Sequence, residues 1–119
     1  MKRIPQHRKD GELSDLQSFI IDLEPFQRKV SHWVVHIHEY IGPGSEAFEE
    51  LTKNSPRLSH TAFASMCYCI NQTVDGIFEA KVSSKTVVCL DAVDSTYWEI
   101  TSSSEFESYM VKKYGEFIG

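Results

Sequence analysis

Long apolar runs are missing from this chain of 119 residues, where hydrophobic stretches break off after a handful of positions, so no segment can span a bilayer as a helix. A disulfide framework is missing as well. The three cysteines, Cys67, Cys69 and Cys89, are odd in number and lack framework spacing, the usage that a reducing compartment tolerates. They read as small apolar side chains. Internal repeats, low-complexity tracts and dividing linkers are absent too. Behind the basic opening "MKRIPQHRKDGELSD" there is no apolar stretch of the kind a secretory signal needs, so a cytoplasmic location is the expectation. Positive charge is also scarce: 12 Lys and Arg stand against 17 Asp and Glu, a net charge of −5. A negative body repels phosphate backbones, which makes nucleic acid a poor partner and leaves no case for a membrane.

What is present suits one globular domain, with 41% hydrophobic and 24% charged residues. Residues 1–11 read as a flexible basic lead-in, and residues 12–119 as a single α+β domain. Ser14 opens an S-x-x-Q capping box with Gln17, and Leu13, Leu16, Ile20 and Leu23 recur at helical spacing. Pro25 ends that helix near Glu24; a strand through "FIIDL" is the competing reading. In "SHWVVHIHEYI", Trp33, Val35 and Ile37 alternate with Val34, His36, His38 and Tyr40, the pattern of a strand. "GPGS" breaks it, and Ser45 caps a short acidic helix carrying Phe48 and Leu51.

After Pro56, Phe63, Met66, Cys67, Ile70 and Val74 fall on one helical face, with Gly76 as the stop. "IFEAKV", "TVVCLDA" and "TYWEIT" then form an antiparallel meander whose middle run, apolar on both sides, suits a central strand. A last helix starts near residue 103 with Phe106, Tyr109, Met110, Tyr114 and Phe117 as its packing stripe. The predicted fold is α+β: an antiparallel sheet of about four strands, with three to four helices packed mainly on one face.

The run "DAVDSTYWEITSSSEFE" holds five acids and no base. Ser102 and Glu105 form a second capping box, and Glu107 lies in the first turns of a helix, where the macrodipole favours it. Asp91 and Asp94 flank a turn, where aspartates bond nearby amides. Glu99 has no such local reason. On its strand it shares a side with Tyr97, a combination that suits a protein-binding patch; a cross-strand pair with Lys81 or Lys85 is the plainer account.

Candidate chemistry is thin. His36 and His38 make an H-x-H on a strand, their imidazoles about 6–7 Å apart on one side, which could begin a metal site. No further ligand follows at suitable spacing, so no metal and no cofactor is expected. Cys67 and Cys69 diverge on a helix and do not chelate together. No nucleophile elbow surrounds any serine or cysteine. "IGPGSEAFEE" precedes a helix but lacks a phosphate-loop lysine, and Glu46, Glu49 and Glu50 would repel an anion.

In size, acidity and absence of a catalytic signature, the chain is similar to the small inhibitor proteins with which bacteria neutralise toxins, often nucleases. That similarity implies a non-enzymatic protein that docks on a basic partner. Asp91, Asp94, Tyr97 and Glu99, with the acidic helix around Glu46, Glu49 and Glu50, are the expected contacts. A small enzyme or metal-binding domain centred on His36 and His38 is the alternative expectation, and a homodimer formed through a free strand edge is a third.

Overall fold

The computed structural model describes residues 1–7, 11–27, 29–41, 57–70 and 72–118. Its strands are β1 (Lys2–Pro5), β2 (His32–Ile41), β3 (Arg57–Ser59), β4 (Gln72–Val82), β5 (Lys85–Val93) and β6 (Tyr97–Thr101). Its helices are α1 (Leu16–Leu23), α2 (His60–Cys67) and α3 (Ser104–Tyr114). The fold is α+β, as predicted, but among the described residues the antiparallel sheet has six strands in the order β1-β6-β5-β4-β2-β3 rather than about four. The predicted acidic helix, with Glu46, Glu49 and Glu50, lies outside the described residues.

The two additional strands are the short outer ones. β1 lies within the expected lead-in, where Ile4, fully buried, sits opposite Trp98 and holds the strand to β6. At the other edge, Leu58 of β3 pairs with Trp33 and is buried with it. Each strand is held by one inward side chain that no periodicity could reveal in so short a run.

Alternation along the strands assigns one side of the sheet to the core. Ile4, Trp98, Ile100, Ala92, Leu90, Val88, Phe78, Ala80, Trp33, Val35 and Leu58 are all buried, and the cross-strand pairs put them on a common side. The helices bring Leu16, Phe19, Leu23, Phe63, Met66, Phe106 and Met110 to the same cluster. Phe19 meets Trp98 edge-on at 5.0 Å, and Phe63 stacks on Trp33 at 4.2 Å, arrangements that aromatic quadrupoles favour when offset.

Residues 16–23 are helical, and the C-cap is Glu24, immediately before Pro25. The N-cap is Asp15 rather than Ser14. Its carboxylate accepts from Leu16 N at 2.7 Å and, across the core, from Thr73 N at 2.8 Å and Thr73 Oγ1 at 3.1 Å. The Ser14 hydroxyl is buried with no hydrogen-bond partner among the described residues. α2 is shorter than predicted. It ends at Cys67, and Val74 and Gly76 belong to β4. Gly76 is needed there because an added Cβ would meet His36 O and Ile37 Cα, both at 3.1 Å.

The cap of α3 also moves by one residue. Ser103 Oγ accepts from Phe106 N at 3.3 Å, and Glu107, not Glu105, reaches back to Ser102 N at 2.9 Å. Burial pushes the Glu107 carboxyl up, but that hydrogen bond and the N-terminal ammonium 3.1 Å away outweigh it and hold it below its ordinary value. α1 and α3 are tied by the buried Asp22 carboxylate, which accepts from the Tyr114 hydroxyl and from Lys113 Nζ.

Candidate functional site

The second side of the sheet carries the side chains that alternate with the core set, and no described helix packs on it. Register turns these side chains into rows, since residues paired across antiparallel strands share a side. One row runs Arg3, Glu99, Asp91, Ile77, His36 across β1, β6, β5, β4 and β2. A second runs Thr101, Cys89, Glu79, Val34, Arg57 across β6, β5, β4, β2 and β3. The centre of this face is therefore acidic and half-buried, with apolar residues on either side.

Asp91 and Glu99 stand directly opposite one another on adjacent strands. Like charges in that position destabilise a sheet. Partial burial, and then the carboxylates of Glu99 and Asp75, raise the Asp91 carboxyl above its ordinary value, while His38 acts in the opposite sense. Glu99 is partly compensated by the Arg3 guanidinium at 3.8 Å. Neither Lys81 nor Lys85 reaches it: Lys81 Nζ lies 3.3 Å from Glu79 instead. No hydrogen bond or ion pair holds Asp91 among the described residues.

The other expected contacts are placed differently. Asp94 is exposed in the β5–β6 turn and, with Ser95, has a positive φ, 47° and 61°, a conformation Asp tolerates better than most residues. Tyr97 lies on the uncovered side but not as a free anchor. Its ring stacks on Phe117 at 4.8 Å and lies beneath the Arg3 guanidinium, 5.0 Å from the ring centre. Phe117, expected on the packing stripe of α3, instead follows the helix and donates its backbone N–H to Arg3 O at 2.8 Å. This bond occupies part of the free edge of β1.

His36 faces Ile77 from the same side, and His38 falls at a register shift between Ile37 and Glu39, so the regular H-x-H spacing is interrupted by a bulge. Among the described residues, no group of three His, Cys, Asp or Glu side chains has the geometry to hold a metal ion. Two of the three thiols, those of Cys67 and Cys89, are poor nucleophiles. Burial, with Asp15 adding to it, pushes the Cys67 thiol far up, and burial followed by Glu79, Asp91 and Glu99 raises Cys89. No described helix is long and apolar enough to cross a membrane.

His60 carries a feature that sequence pattern could not show. Its Nδ1 accepts the indole N–H of the buried Trp33 at 3.0 Å, and its ring lines a cavity beside the end of α1. The contact spans 27 positions in the chain, so no spacing rule connects the two residues.

Comparison with protein-family models, with curated proteins and with solved structures returns no significant match.

Proposed function

We propose that this chain is a protein-binding domain of the inhibitor or immunity type, which docks the uncovered face of its sheet onto a basic partner such as a toxin nuclease. The observation that carries this reading is Asp91: a half-buried carboxylate set opposite Glu99, with Asp75 near, His38 as the one opposing charge, and no ion pair or hydrogen bond of its own among the described residues. Such a charge lowers the stability of the isolated fold and gains a counter-ion when a lysine or arginine of a partner arrives. Ile77 and Val93 beside it supply apolar contact, and Glu79 and Asp94 extend the acidic field. Complementary charge raises the encounter rate with a basic surface and suits a phosphate-binding cleft. The reading assigns no reaction to this chain; the protein acts by covering another protein's site.

The test maps the face with a short arginine-rich peptide as an electrostatic probe, followed residue by residue in NMR spectra of the full chain. Shift changes should cluster at Asp91, Glu99 and Ile77, fade as salt is raised, and largely vanish in the Asp91→Asn, Glu99→Gln double variant. Changes that cluster elsewhere, or that survive the double variant, would remove this face as the docking surface.

A further inference from the structure

The cavity of about 280 Å³ beside the end of α1 has a two-part lining. Ile20, Leu23 and Val30 form an apolar floor, and Glu24, Gln27, Lys29 and His60 stand around it. An indole N–H can only donate, so the bond from Trp33 requires a lone pair on His60 Nδ1 and leaves the ring proton on Nε2. That tautomer is held in place by the buried Trp33 ring, which in turn is fixed by stacking on Phe63. Nε2–H makes no hydrogen bond among the described residues, and neither Lys29 Nζ nor the Glu24 carboxylate has a partner there.

We propose that this cavity binds a small carboxylate with an apolar body. Its carboxylate would take the His60 Nε2–H and the Lys29 ammonium, and its hydrocarbon part would cover Ile20, Leu23 and Val30. The site combines an oriented donor, a cation and an apolar floor within one cavity, the composition of small-molecule sites in general, and its size suits a ligand of amino-acid dimensions. An ionised acceptor against these two donors forms the stronger class of hydrogen bond. Glu24 separates two sources of that chemistry. A plain fatty carboxylate leaves it solvated, whereas an amino acid can place its ammonium on it.

The experiment titrates 4-methylpentanoate, 4-methylpentanamide and leucine into the isotope-labelled full chain at neutral pH. The methyl signals of Ile20, Leu23 and Val30 and the Trp33 indole N–H are followed. Saturable shifts at these groups with 4-methylpentanoate are expected, with the neutral amide binding at least about tenfold more weakly. Lys29→Met keeps the stem of an exposed side chain, so the fold persists, as unchanged indole signals would verify; it should weaken the carboxylate about tenfold. Leucine binding as well as or better than the plain acid supports the site with an amino acid as ligand. Leucine failing while the acid binds supports it with a fatty acid. Absence of saturation by both, an amide that binds as well as the acid, or a Lys29→Met chain that binds unchanged would overturn the assignment.

Discussion

Replacing Asp91 by Asn keeps the shape of the side chain and removes its charge, so it separates the docking reading from a purely structural role. In the folded chain Asp91 faces Glu99 across β5 and β6. A like-charged cross-strand pair costs roughly 0.2–1 kcal/mol relative to a neutral one. Coulomb's law gives about 0.7 kcal/mol for two unit charges some 6 Å apart in water, within the same range. Asp91→Asn should therefore stabilise the isolated domain at neutral pH by about 0.5 kcal/mol, close to 2 °C in melting temperature for a chain of this size.

The pH dependence fixes the sign. Burial, then Glu99 and Asp75, raise the folded-state value of the Asp91 carboxyl, so the folded chain holds that proton more tightly than the unfolded one. The stability linked to it is complete below the ordinary carboxylate range and is lost as pH rises through the raised value. The gain from Asp91→Asn should consequently appear above that window and vanish in acid, where Asp91 itself is protonated. Glu99→Gln relieves the same repulsion but forfeits the Arg3 contact, so its gain should be smaller. Urea unfolding of the three chains at neutral and acidic pH measures both effects. A loss of stability in Asp91→Asn, or an equal gain at both pH values, would refute the argument that Asp91 is an uncompensated charge. A residue whose neutralisation helps the fold and harms docking is one whose charge serves binding rather than stability.

Three further outcomes follow from the core. Asp15→Ala removes the cap of α1 and strands the Thr73 amide, so urea unfolding should show a loss of roughly 2–4 kcal/mol. Ser14→Ala, by contrast, removes a hydroxyl that has no partner among the described residues and should stay within about 0.5 kcal/mol of the parent in the same assay. Gly76→Ala forces β2 and β4 apart against backbone atoms at 3.1 Å; a loss of about 1–3 kcal/mol and altered amide shifts at His36 and Ile37 are expected.

Where the sequence carried a repeating pattern, the fold could be read from it. The alternation around Trp33 and the three runs from Ile77 to Thr101 each became strands, with Trp33 and Val35 turned to the core, because period-two patterning directly records which side is buried. Reading failed where two patterns overlapped or the segment was too short. Val74 continues the helical spacing that begins at Phe63, yet it lies in β4, where Thr73 holds the Asp15 carboxylate and Gly76 admits β2. Adjacent capping residues misplaced both caps by one position, because Ser14 next to Asp15 and Ser102 next to Ser103 each offer a side-chain oxygen locally. Tertiary contacts decided between them.

The candidate face was legible in composition but not in arrangement, and the reason is register. Alternation placed Tyr97 and Glu99 on the side opposite Trp98, but it could not say what stands beside them. The Arg3–Glu99 contact required a strand within the expected lead-in, and the Asp91–Glu99 opposition required the pairing of β5 with β6 in one particular register. A shift of one residue would have sent Asp91 into the core side, where its burial would be prohibitive. The inward row Ala92–Trp98 and Leu90–Ile100 excludes that shift. Core packing thus forces the two carboxylates to face each other, and among the described residues Asp91 makes no ion pair, with His38 the one charge acting against the repulsion. On the function proposed above, a lysine or arginine of a basic partner would complete the compensation that His38 only begins.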